Sequence, residues 1–117
     1  MTAGAILKGQ ASMEKVEIIE ISVDGAGKLN IRPNLEQDRD FAFIYRAAMG
    51  VTWDKQKGCL LPRECKSWGH LEWFKQMVAA VADEYRKELV LTGNTRWRAV
   101  PPETRLKIED WINESAA

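Results

Sequence analysis

A chain of 117 residues is the size of one ordinary domain, and 45% hydrophobic with 29% charged residues is globular rather than disordered composition. Seventeen basic and seventeen acidic side chains cancel, so no long-range positive field draws the chain to nucleic acid or to an anionic membrane surface. The apolar runs fall far short of the roughly 20 residues a transmembrane helix needs, and the first residues lack the charged-then-apolar order of a secretory signal.

These features predict a cytoplasmic protein in which Cys59 and Cys65 stay reduced. A net charge of zero gives copies little mutual repulsion, which favours a homo-oligomer. Residues 1–14 are small and polar with little periodicity, and are expected to form a flexible arm ahead of a single domain over 15–115.

From Lys15 the pattern becomes period two, with Glu17, Ile19, Ile21 and Val23 on one face of a strand and Val16 and Ile18 on the other. Apolar residues on both faces predict a central strand. Asp24-Gly25-Ala26-Gly27 then supplies turn chemistry, and Leu29 and Ile31 resume the alternation until Pro33, which makes a first β-hairpin. Between Asp38 and Met49, Phe41, Ile44, Tyr45 and Ala48 recur at helical spacing, with Gly50 where a helix end favours a left-handed residue. A short helix fits best, although the same residues permit a strand through Phe41, Phe43 and Tyr45.

A second hairpin is predicted from Val51-Thr52-Trp53, the polar turn 54–58 and Cys59-Leu60-Leu61. Ser67 is positioned to cap a long helix from Trp68 to about Lys87, with a stripe of Leu71, Phe74, Val78, Val81 and Tyr85 and a second of Trp73, Met77 and Ala80. Leu89-Val90-Leu91 reads as a short strand, and Pro101-Pro102 introduces a last helix bearing Leu106, Ile108, Trp111 and Ile112. The expected fold is therefore α+β, ordered ββαββαβα: a small antiparallel sheet of two hairpins plus a short strand, packed by two to three helices.

Candidate chemistry is sparse. Five tryptophans dominate, Trp53, Trp68, Trp73, Trp97 and Trp111, each able to bury ~150–250 Å². On a helix of about 3.6 residues per turn, Trp68 and Trp73 would stand about 140° apart, which would direct one of them to a pocket or an interface. Cys59, Cys65 and His70, with five and then four residues between them, do not match the spacing of a zinc knuckle. No orienting carboxylate accompanies Cys65 and His70, so no catalytic residue, metal or cofactor is predicted. Arg46, Arg63, Arg96 and Arg98 lie beside aromatic or strand residues, where a guanidinium stacks on a ring and grips an anion.

Ile44-Tyr45-Arg46-Ala47-Ala48, Val51-x-Trp53-Asp54, Trp68 with Trp73-Phe74, and Asp83-Glu84-Tyr85 resemble a family of short bacterial proteins that includes integron gene-cassette products, over residues 16 to 112. The resemblance implies a mobile, accessory bacterial gene and a small, frequently oligomeric product, and it assigns no functional residue. The leading expectation is a non-enzymatic interaction module that assembles with itself through Trp68, Trp73 and Met77. The alternatives are a small-molecule binder or enzyme, whose pocket for an anionic or aromatic ligand is lined by Arg46, Trp53, Arg63, Trp68 and Trp97, and an antitoxin-like or immunity-like partner protein.

Overall fold

A computed structural model of the chain describes residues 13–35, 39–47, 50–63 and 68–116. Among them the order is β1 (Glu14–Val23), β2 (Leu29–Pro33), β3 (Val51–Asp54), β4 (Cys59–Pro62), α1 (His70–Tyr85), β5 (Lys87–Val90), β6 (Arg96–Arg98) and α2 (Pro102–Ala116). Of the arm expected over 1–14, residues 1–12 lie outside the described residues, as do Cys65 and Ser67, and the first strand begins at Glu14.

Both hairpins form where their turn residues place them. Asp24 organises the first, its Oδ1 accepting the N–H groups of Ala26 and Lys28 at 2.9 Å each. Asp54 repeats the device in the second, accepting from Gln56 and Lys57 at 2.9 and 3.0 Å. Gly27 and Gly58 take φ of +81° and +66°, a region where glycine has no Cβ to clash.

The sheet runs β3-β4-β2-β1-β5, with β6 also pairing β1. The α+β class is as expected and β1 is central, but the sheet is mixed. β1 to β4 pair antiparallel, whereas β5 and β6 run parallel to β1. The reason is the return over α1, since a helical crossover brings the chain back in the same direction.

Four local expectations change. The face assignment along β1 fails because its register with β2 slips between Ile18 and Glu20; a bulge shifts the alternation by one, so Val16, Ile18 and Ile21 all enter the core. Among the described residues between β2 and β3 there is neither a full helix nor a strand, only a 3-10 turn over Ile44–Arg46. Phe41 and Ile44 are both buried, and their i, i+3 spacing suits three residues per turn. Gly50 does take the left-handed conformation, at φ +89°.

The long helix is shorter than the predicted span. It starts after Gly69, whose N–H is capped by the Glu72 carboxylate at 3.1 Å, and stops at Arg86, which is left-handed at φ +55°. Finally, β6 was not predicted, because three residues are too few for a periodic signal.

Both helices pack on one face of the sheet. Trp73, Phe74, Met77 and Val81 of α1 and Ile108 of α2 close over Ile18, Ile21, Leu29, Ile31, Val51 and Leu60. Fully burying an aliphatic side chain of this size contributes roughly 1.5–3 kcal/mol.

Candidate functional site

Alternation along the strands sends the other side chains to the opposite face. Ile21, Leu29, Ile31, Leu60 and Trp97 join the core side, so Glu20, Ser22, Asn30, Arg32, Cys59 and Arg98 face away from it. These residues and the tips of both hairpins enclose a cleft of about 640 Å³, rimmed by Asp24, Gln56 and Lys57. Among the described residues no helix covers it.

The polar side chains on the floor of this cleft are hydrogen-bonded to one another. Asn30 donates to Asp24 Oδ2 at 3.1 Å and to the Lys28 carbonyl at 3.0 Å, and its Oδ1 accepts the Cys59 thiol at 3.1 Å. Burial, reinforced by the nearby Asp54 charge, pushes the Cys59 thiol up to about 11. At neutral pH the sulfur is therefore a protonated hydrogen-bond donor and not a nucleophile.

The two carboxylates of the cleft are occupied. Glu20 faces Arg98 at 3.7 Å. Asp24 is spent on the hairpin turn: burial alone would raise its carboxyl, but the hydrogen bonds from Lys28, Asn30 and Ala26 and the Lys57 charge hold it below its ordinary value. Arg32 and Lys57 have no ion-pair partner among the described residues. Both are close enough to Cys59 to oppose the upward shift of its thiol.

A second, shallower cleft of about 310 Å³ adjoins the first and shares Arg32, Gln56 and Lys57 with it. Among the described residues its remaining lining is Ile19, Pro33, Leu35, Arg39, Trp53, Lys55 and Gly58, none of them a carboxylate. Trp53, opposite Leu60 and against Phe41, belongs to the core side of the sheet, so the two clefts share the cations Arg32 and Lys57 without lying on one face.

The residues singled out from the sequence are mostly elsewhere. Of Arg46, Trp53, Arg63, Trp68 and Trp97, only Trp53 lines one of these clefts. Arg46 lies over the Phe43 ring at 4.6 Å and faces Glu84 at 3.8 Å. Arg63 is exposed, its N–H bonded to the Gly50 carbonyl, and Trp97 lies under the Arg105 guanidinium at 4.9 Å. Trp73 and Met77 are 4% and 0% exposed, within the core, while Trp68 is 39% exposed. The expected 140° separation does not apply, since Trp68 precedes α1 and its ring meets that of Trp73 at 4.8 Å.

Arg98 was among the arginines that adjacency to tryptophan had marked. Arg32 and Lys57 were missed, although Arg32 alternates with the core residues Leu29 and Ile31 and so had to face the other way.

No described helix is long and apolar enough to cross a membrane, and among the described residues no three His, Cys, Asp or Glu side chains are placed to share a metal. Comparison with curated proteins finds no match. A structure from the mobile metagenome of North West Arm Sewage Outfall, Integron Cassette Protein Hfx_Cass5, is 31% identical, with a TM-score of 0.40, covering 91% of this chain and 100% of that one. The model of the family described as Integron Cassette Protein Hfx_Cass5 matches residues 16–95. The family match, over more than half of the chain, shows that the chain belongs to the Hfx_Cass5 integron cassette protein family, in agreement with the resemblance carried by its aromatic and arginine positions.

Proposed function

We propose that the chain is a small-molecule binding protein whose larger cleft, on the helix-free face of the sheet, takes up an anion between Arg32 and Lys57. The observation that carries this reading is that these two cations belong to both clefts while the neighbouring carboxylates are already engaged. A volume of about 640 Å³ suits a small organic ligand, and the partnered Asn30 and Cys59 give a floor that needs little reorganisation on binding. A thiol held protonated favours binding over covalent chemistry.

Isothermal titration with inorganic phosphate and with acetate tests the reading. Saturable binding that falls at least tenfold in the Arg32→Ala/Lys57→Ala double variant, with unchanged thermal stability, supports it. Absence of binding to every anion tried overturns it.

A second reading, assembly with further copies, is favoured by Phe43 and Tyr45, which are 50% and 55% exposed with rings 6.3 Å apart. An exposed aromatic pair beside Arg46 has the composition of an interface centre. Light scattering of the wild type and of Phe43→Ser/Tyr45→Ser distinguishes a higher mass that reverts to the monomer from a monomer throughout. Retention of an immunity-like partner by the wild type and not by the variant would shift the reading to a heteromeric contact.

A further inference from the structure

We infer that the ligand of the larger cleft is a linear molecule with an anionic group at each end, carboxylate or phosphate, and an uncharged spacer between them, held at one end by Arg32 and Lys57 and at the other by Arg98. The inference rests on the anion-binding reading and adds the chemical class of the ligand. Three observations carry it.

First, the cleft is cationic at two separate places. Arg32 on β2 and Arg98 on β6 both line it, and β1 runs between their strands, with Glu20 opposite Arg32 and Ser22 opposite Arg98. At ~4.8 Å between neighbouring strands and ~3.3 Å per residue along them, the two α-carbons stand roughly 12 Å apart. Both side chains would have to lean fully inward to share one small anion, whereas a ligand with two anionic ends meets each where it stands. Secondly, the Glu20 carboxylate lies between the two places, its side chain only 18% exposed. A like charge there repels an anion seated midway, so the middle of the ligand is uncharged. Thirdly, Arg98 has donors to spare. One Nη lies 3.7 Å from Glu20, longer than a hydrogen bond, and the side chain is 73% exposed. A guanidinium carries five donors, so Arg98 can grip a ligand and stay beside Glu20.

The first anionic group then sits between Arg32 and Lys57 and the second against Arg98, while the spacer crosses Glu20 and Ser22. Arginine pairs with carboxylate and phosphate alike, so either terminal group satisfies the site.

The test compares matched pairs by isothermal titration to the intact protein: adipate against hexanoate, tetramethylene bisphosphonate against butylphosphonate, and malonate against acetate. An exposed charge pair corresponds to roughly 1.5–5-fold in affinity and a bidentate arginine pair to more, so the expected result is at least about a fivefold advantage for the two-ended member in one or both of the first two pairs. Malonate, whose carboxylates are too close together to reach both places, should gain little over acetate. Which of the first two pairs shows the larger advantage tells carboxylate from phosphate. Equal affinities within both of them overturn the two-ended inference and leave the anion-binding reading standing; no binding by any probe overturns both. Malonate gaining as much as adipate also overturns it. Arg98→Gln should remove the advantage while binding of acetate and inorganic phosphate persists. Arg96→Gln, which removes an exposed cation opposite Glu20 that does not line the cleft, should leave the advantage intact. Equal losses in the two variants overturn the inference in favour of general charge attraction. Should Arg98→Gln fail to fold, the matched pairs on the wild type decide alone.

Discussion

The Thr95 hydroxyl donates to the carbonyl of Ile18 at 2.7 Å, across the point where β1 slips its register with β2. On that side of β1, pairing with β5 ends at Glu17 and pairing with β6 resumes at Glu20. Ile18 thus lies between two ladders, and a side chain replaces the missing backbone donor. Thr95 is itself held in a turn, its N–H bonded to the Thr92 carbonyl at 3.2 Å and its Oγ accepting the Thr92 N–H at 3.0 Å. The short excursion between β5 and β6 and the bulge in β1 are two sides of one feature, and Ile19 at that bulge lines the shallower cleft.

Thr95→Val keeps the shape of the side chain and removes the donor. Because the bond is buried, the Ile18 carbonyl is left unpaired, at a cost of about 1–3 kcal/mol. Thr95→Ser should recover most of that loss. Urea unfolding of the three proteins measures it, and equal midpoints for Val and wild type would show that the hydroxyl does not hold the bulge.

Acid should weaken the first hairpin through Asp24. Burial works to raise its carboxyl, but the turn hydrogen bonds and Lys57 outweigh burial and hold it below its ordinary value. The folded state therefore prefers the ionised form, and that stabilisation is present above the unfolded value and is lost as pH falls through the folded one. Below about pH 4, the stability of Asp24→Asn should fall less steeply than that of the wild type. The residual slope belongs partly to Glu14, whose carboxyl is lowered by its hydrogen bond and charge pairing with Lys87. Parallel urea midpoints across the acid range would remove Asp24 from this role.

Much of the scaffold is legible in the sequence, and the reasons are local. Asp24 and Asp54 each precede turn residues at the spacing a side-chain-capped turn needs, so both hairpins could be read directly. The apolar stripes of α1 are equally plain. The bulge at Ile19 was invisible because an alternation of isoleucines reads the same with or without a slip of one residue. Two parallel pairings with β1 depend on a crossover that no short window contains. The larger cleft was missed for the same reason: Arg32 comes from β2, Lys57 from the second hairpin turn and Arg98 from β6, and only the sheet order brings them together.

Cys59 should resist alkylation in the folded protein. With its thiol pushed up to about 11 and donating to Asn30, a negligible thiolate fraction exists at pH 8. Iodoacetamide followed by peptide mass analysis should find Cys59 unmodified without denaturant and fully modified in urea. Rapid native labelling would mean that the cleft floor opens, and would weaken the case for a preorganised site.

The three residues first expected to form an interface should separate by burial. Met77 and Trp73 lie within the core beneath the sheet, so Met77→Ala should cost about 2–5 kcal/mol and Trp73→Ala about 3–5 kcal/mol. Trp68 touches Trp73 yet keeps 39% of its surface exposed, and it precedes α1 rather than sitting in its packed face. Trp68→Ala should therefore lower the urea midpoint least of the three. Light scattering on the same variants separates fold from assembly: if copies associate through this surface, Trp68→Ala lowers the mass while the fold persists. Should Trp68→Ala instead destabilise as much as Met77→Ala with no change in mass, Trp68 is a cover for the Trp73 ring, and the exposed Phe43 and Tyr45 become the surface left to carry self-association.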